Sequence, residues 1–231
     1  TEVLDQRLKE IDATLGQLRE HGAQDYLVRG QLHDALVHRI LDYSTQLKQA
    51  RETIQQLSNR DTLTGALNRA GFRAHMERAI DRSERYGFNT AVLYIDIDQF
   101  SNINNHYGEH DGDKLIKSIS NRLLNKLRST DSIARLGGDE FAVVLEDVSS
   151  VDDVSLIAQK MLKSISAPML LSEQQVSVDA SIGAAIFPED GLDFAELVEH
   201  ARNAMLQAKE VSGGSYVRYS DQLTFDAAGH S

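Results

Sequence analysis

The 231-residue chain contains no cysteine. That absence excludes a disulfide framework, a thiolate zinc site and a cysteine nucleophile, and it fits a cytoplasmic protein or the cytoplasmic part of a larger one. No apolar run approaches the roughly 18 residues needed to cross a bilayer, and the first residues do not resemble a signal peptide. Positive charge is scarce: 24 Lys and Arg stand against 35 Asp and Glu, a formal net charge of −11. Such a chain lacks the basic face with which a non-specific nucleic-acid binder meets phosphates, so no nucleic-acid partner is expected. An acidic protein that handles a polyanionic nucleotide must recruit cations locally, and a bound metal is the usual means.

What is present suits a soluble globular protein. Hydrophobic residues at 41% and charged residues at 26% are ordinary values, and the length suffices for one sizeable domain with an appendage or for two small domains. Residues 1–60 differ from the rest. Leu4, Leu8, Ile11, Leu15 and Leu18, then Leu36, Ile40, Tyr43, Leu47, Ala50, Ile54 and Leu57, recur at spacings of three and four. This is a heptad seam, broken near Gly22 and Gly30, as expected of helices that pair along one stripe. Two arrangements fit it: a parallel dimeric coiled coil through residues 36–58, or a small antiparallel bundle within one chain. His21, His33 and His38 do not have the spacing of a helical metal site and read as surface or packing residues.

From Asp61 the pattern becomes α/β. A glycine turn and a helix-compatible run end near Tyr86-Gly87, and TAVLYIDID (90–98) reads as a buried strand ending in acids. Residues 100–128 read as two helices interrupted at Gly108–Gly112. SIARL and FAVVLE are strands around a glycine-acid turn, 151–165 is a helix, 175–187 a strand, 192–210 a helix and 215–219 a short strand. The order predicts a mixed central sheet flanked by helices, with the hairpin supplying an antiparallel pair.

The chemistry sits in the acids. Asp96 and Asp98 end a buried strand, and Asp139 and Glu140 sit at a hairpin tip after Gly137 and Gly138. Carboxylates converging at one sheet edge form a hard-oxygen site for Mg²⁺ or Mn²⁺ that substrate phosphates complete. The glycines permit unusual backbone angles and close approach of a ligand. An exposed acidic turn joining two core strands fits the same residues.

Arg135-Leu136-Gly137-Gly138-Asp139-Glu140-Phe141 resembles the signature of the GGDEF family, the diguanylate cyclase domains. The likeness runs from Asp61 to about Tyr219 through Asp61-Thr62-Leu63-Thr64-Gly65, Asn68-Arg69, Asp96-Ile97-Asp98-Gln99-Phe100, Asn104, Gly108, Gly112-Asp113, Ser181-Ile182-Gly183 and Ala208-Lys209. It implies a palm-like nucleotidyl cyclase domain over 61–220, after the heptad segment of 1–60, a helical segment expected as a coiled-coil stalk, and a tail or interdomain connector over 221–231. It also implies that two such domains, each with one GTP, face each other as a homodimer and make cyclic di-GMP and pyrophosphate. By the same resemblance, Asp96, the Ile97 carbonyl and Asp139 hold Mg²⁺ or Mn²⁺, Asp139 is the base, and Glu140 contributes beside it. Asn104 and Asp113 read guanine, Phe100 and Ser101 offer backbone amides to phosphates, and Arg135 and Lys209 lie near the triphosphate. Arg128 and Asp131 match the RxxD product-inhibition site.

Four positions depart from the family pattern. Ser101 replaces a usual Lys, Asn105 a usual Asp, Glu109 a usual His at a substrate-contacting position, and Gly213 a usual basic phosphate ligand. Two cations are thus lost near the triphosphate and an acid is gained. The acids and guanine readers persist, so an active cyclase is expected. The other readings are a regulatory domain that binds GTP or cyclic di-GMP without turnover, and a coiled-coil scaffold.

Overall fold

The computed structural model describes residues 59–210 and 213–220. The heptad segment with its three histidines, Ser212 and the connector after Ser220 lie outside the described residues.

In chain order the elements are α1 (Arg69–Tyr86), β1 (Asn89–Ile97), α2 (Phe100–Tyr107), α3 (Glu109–Leu124), β2 (Ser132–Gly137), β3 (Glu140–Val148) and α4 (Val151–Ile165), followed by β4 (Met169–Leu171), β5 (Gln174–Val176), β6 (Ala180–Phe187), α5 (Phe194–Lys209) and β7 (Ser215–Arg218). Local chemistry sets the helix starts. Asn68 caps α1 by accepting from the Gly71 amide, Ser150 caps α4 through the Asp153 amide, and Asp193 caps α5 through the amides of Ala195 and Glu196. The end of α4 and the chain just after it are met from another helix: Arg122 donates to the carbonyls of Ser164 and Ile165 at 3.2 and 3.0 Å and to that of Pro168, beyond the helix, at 3.0 Å.

Five strands form the central sheet in the order β2-β3-β1-β6-β7. β1 lies in the middle, antiparallel to both β3 and β6, and only β6 and β7 run parallel among the described pairs. The sheet is mixed as expected, with antiparallel pairing reaching well beyond the hairpin. Alternation splits the core into two layers. Leu93, Ile95, Ile97, Phe141, Val143 and Leu145 pack with α3 and α4, whereas Val92, Tyr94, Ala142 and Val144 pack with α1 and α5.

Two boundaries differ from the sequence reading. Residues 175–187 are two strands, because β5 pairs with β4 in a separate hairpin and only β6 joins the main sheet. The break between α2 and α3 is Gly108 alone, at φ 84°. Gly112 lies inside α3 and is there for closeness, since a Cβ would stand 1.9 Å from the Asn104 side-chain oxygen. Gly183 on β6 has the same kind of role. A Cβ there would fall 2.1 Å from both the Ala201 carbonyl and the Met205 amide, so its absence lets α5 lie flat on the sheet. Gly183→Ala is expected to destabilise the domain by about 2 kcal/mol or more through overpacking. Urea unfolding monitored by circular dichroism checks this, and an unchanged midpoint would refute the close-packing role.

Candidate functional site

The sheet register gathers the acids. Asp96, next to last in β1, stands opposite Glu140 on one side and Ser181 on the other. Gly137 pairs with Glu140, so Gly138 and Asp139 form a two-residue hairpin loop. Gly138 has φ 51° while Asp139 stays out of the positive region, the pattern of a type II′ turn. A Cβ on either glycine of the turn would meet nothing within 4 Å, so conformation rather than crowding selects glycine there and the face of the turn is open. The Ile97 amide donates to the Asp139 carbonyl at 3.3 Å, tying the loop to the end of β1.

The turn is held from behind by two arginines. Arg135 donates to the Gly138 carbonyl through Nε and Nη2 at 3.0 and 2.8 Å, and its Nη1 reaches Asp61 at 3.4 Å. Asp61 in turn accepts from the Thr64 amide and hydroxyl at 2.9 and 2.7 Å. Arg69 donates to the Leu136 carbonyl at 3.1 Å. The stretch Asp61–Arg69 is therefore a brace for the acidic turn, a role that sequence reading did not supply. Its signal was the clustering of Asp, Thr, Gly and Asn in one turn.

The electrostatics follow from burial. Asp96 is only 8% exposed, and burial pushes its carboxyl above the usual range, with Asp139 and Glu140 adding repulsion. The Lys209 ammonium, 2.7 Å from Asp96 Oδ1, opposes the shift. Burial likewise raises Asp98, which accepts from the Ser181 hydroxyl at 3.0 Å. Tyr94, two residues before Asp96 on the same face, is pushed up to about 12 by burial, then by the negative charge of Glu140 and the hydrogen bond to it, against the pull of Arg69 and Arg202. Among the described residues no group of three or more His, Cys, Asp or Glu side chains is arranged as a complete metal cage.

A second part of the site begins two residues after β1. Gln99 takes φ 55° and starts α2 without a side-chain cap, so the first amides, at Phe100 and Ser101, keep no helical acceptor. The Phe100 ring packs into the core. Asn104 Oδ1 is buried against Gly112 and has no hydrogen-bond partner among the described residues. Asp113, Ser101 and Glu109 are exposed.

Arg128 and Asp131 are not brought to the acids. They precede β2, whose far end carries the turn, about 20 Å away along six residues of strand. Both Asp131 oxygens bond to main chain, Oδ2 with the Arg128 amide at 2.9 Å and Oδ1 with the Glu146 amide at 3.3 Å. The Arg128 side chain is exposed.

The chain matches the family model described as diguanylate cyclase, GGDEF domain, over residues 58–214. It is 35% identical over 201 residues to the bifunctional diguanylate cyclase/cyclic di-GMP phosphodiesterase MucR of Pseudomonas aeruginosa, covering 87% of this chain and 29% of that protein. The chain thus spans less than a third of that relative. The solved GGDEF domain of TpbB from Pseudomonas aeruginosa is similar at TM-score 0.67 and 38% identity, over 69% of this chain and 94% of that one. A microbial GGDEF domain for which an interaction mode with cyclic di-GMP is described is similar at TM-score 0.61 and 29% identity, over 71% of this chain and 99% of that one.

The raised Asp96 carboxyl has a sign for stability. The folded chain holds this proton more tightly than the unfolded chain, so stability falls as pH climbs above the ordinary carboxylate value of 3.8. In metal-free buffer, Asp96→Asn is expected to melt above wild type at pH 7, with the gap closing toward about pH 4. A wild type that melts higher at pH 7 would show that the Lys209 pair outweighs burial.

Proposed function

The chain belongs to the GGDEF family of diguanylate cyclase domains, and on that premise we propose that it condenses two GTP molecules into cyclic di-GMP and two pyrophosphates across a homodimer. The observation that carries this reading is the convergence of Asp139 and Glu140 on buried Asp96, beside the uncapped start of α2. Asp96, the Ile97 carbonyl and Asp139 would hold Mg²⁺ or Mn²⁺, which when bound supplies charge neutralisation and polarises phosphate oxygens. Asp139 takes the proton of a ribose 3′-hydroxyl as that oxygen attacks the α-phosphate of the other GTP, and pyrophosphate leaves. Glu140, hydrogen-bonded to Tyr94, adds negative charge beside it. The amides of Phe100 and Ser101 and the Lys209 ammonium receive phosphate oxygens.

Guanine selection falls to Asp113 and Asn104. A carboxylate accepts from guanine N1–H and the 2-amino group together, a donor pair that adenine lacks. The orphaned oxygen of Asn104 supports a ligand there, because a buried polar atom without a partner is costly. The exposed Arg128 side chain, with Asp131 closing the turn beneath it, forms the product-inhibition site.

A second reading, a regulatory domain that binds GTP or cyclic di-GMP with little turnover, is favoured by the cation inventory. Arg135 is engaged by the turn and Asp61, and Ser101 and Gly213 carry no charge. One assay separates the two. Protein incubated with GTP and Mg²⁺ should yield cyclic di-GMP, and Asp139→Ala should lower the rate by about a hundredfold or more. Tight GTP binding without product would favour the regulatory domain, and neither binding nor product would leave a scaffold. Equal product from both proteins would remove Asp139 from the mechanism. For inhibition, Arg128→Ala is expected to raise the cyclic di-GMP concentration for half-inhibition by about tenfold or more. An unchanged inhibition constant in initial-rate measurements would refute that site.

A further inference from the structure

A second buried carboxylate lies away from the acidic turn. Asp111, in the first turn of α3, is 3% exposed. Lys114 Nζ is 2.7 Å from its Oδ1, and the Ser172 hydroxyl donates to its Oδ2. These hydrogen bonds, that of Lys114 foremost, hold the carboxyl below the usual range. Ser172 belongs to the loop of the β4–β5 hairpin, 61 residues farther along the chain. The same hairpin makes another tie, since the Tyr107 hydroxyl donates to Gln174 Oε1 at 3.3 Å. It therefore grips both sides of the Gly108 break, the end of α2 and the start of α3.

The hairpin is shaped against local preference. Leu171 pairs with Gln174, so Ser172 and Glu173 form a two-residue loop, with φ 44° and 65°. Positive φ at both central positions is the type I′ geometry that ordinarily selects Asn-Gly, and here neither residue is glycine. Non-glycine residues persist in that region where surrounding contacts over-determine them. The contact in question is the one to Asp111.

Gly112 and Asp113 follow directly. Gly112 presses on the unpartnered Asn104 oxygen, so any rotation of the first turn of α3 moves both the Asn104 contact and the Asp113 carboxylate. We propose that the Asp111–Ser172 hydrogen bond positions Asn104 and Asp113, making the β4–β5 hairpin a specificity strut for the nucleobase. The inference rests on the reading of Asn104 and Asp113 as guanine readers. Asp111 and Ser172 are positioning residues that hold the first turn of α3 in the orientation where the Asp113 carboxylate meets two donors at once. Recognition of that kind tolerates a misplacement of only about 0.5 Å.

The test is calorimetric titration of the full chain, with Mg²⁺ present, by non-hydrolysable GTP and ATP analogues. Ser172→Ala should weaken the GTP analogue about tenfold and leave the ATP analogue unchanged, so that the preference between them falls. Ser172→Asn, which suits the left-handed backbone and can donate from its side-chain amide to Asp111, should restore it. Ser172→Ala added to Asp111→Ala should cost nothing more, because the Ser172 hydroxyl acts through the Asp111 carboxylate. In the cyclase assay the loss should appear in KM rather than kcat. A discriminating wild type with an equally discriminating Ser172→Ala refutes the strut alone. Equal losses for both analogues reduce the hairpin to fold support and refute it as well. A wild type with no guanine preference removes the guanine-reader assignment, and the strut with it.

Discussion

The carboxylate of Asp96, carried to the end of an apolar central strand, is the constraint around which the molecule is arranged. Taking a charge out of water costs several kcal/mol unless it is paired, and here two further carboxylates crowd it. Lys209 is the partner that opposes the cost. Its place depends on α5 lying close on β6, which depends in turn on the missing side chain of Gly183. The antiparallel pairing of β1 on both sides brings Glu140 and Ser181 level with Asp96. Two acids beyond the one that Lys209 meets leave this end of the sheet short of positive charge. In a protein with a net charge of −11, this local deficit of positive charge is one that, on the proposed function, a bound divalent cation offsets.

The turn that brings the other acids is braced before any ligand arrives. Arg135 and Arg69 hold the carbonyls of Gly138 and Leu136, and the Asp61–Thr64 network anchors Arg135. Groups aimed in advance at developing charge are worth more than groups that must reorganise during reaction. The brace has a consequence for charge: a guanidinium engaged by a carbonyl and by Asp61 is less available to a triphosphate. Reading Arg135 as a substrate-side cation and reading it as a structural clamp assign different effects to its loss, weaker GTP binding in one case and a displaced Asp139 in the other.

Much of this was legible in the residues. The hairpin strands around GGDE, the buried strand ending in Asp96 and the capped helices α4 and α5 follow from alternation, period and cap chemistry. The β4–β5 hairpin did not, because Ser172-Glu173 lacks the glycine or asparagine that announces a type I′ loop. The alternation of residues 175–187 also runs through the three-residue break at Ser177–Asp179 without a marker. Gly112 looked like a helix breaker, although its position is set by the Asn104 side chain. Packing contacts decide these three cases, between neighbouring helices for Gly112 and between hairpin and helix for Ser172, and a pattern of residue types carries no trace of them. The braces at Asp61 and Arg69 were visible only as a motif without a physical role.

The two halves of the candidate site are joined rigidly. β1 ends at Ile97 and α2 begins at Phe100, so two residues turn a strand into a helix, with Gln99 in the left-handed region. Asn104 then sits about 6 Å along α2 from its first residue. A shift of the acids therefore moves the start of α2, and a shift of α2 moves the acids. On the proposed function, this stiffness lets nucleobase recognition at one end set the position of the α-phosphate at the other, which is how remote binding energy is turned into orientation at a reacting centre. It also places the weak point of the site in charge rather than geometry. On the proposed function, Ser101 and Gly213 give the triphosphate two cations fewer than the family pattern supplies, and rate is more sensitive to that charge than binding is, because charge developing on the reacting phosphate is stabilised chiefly by cations.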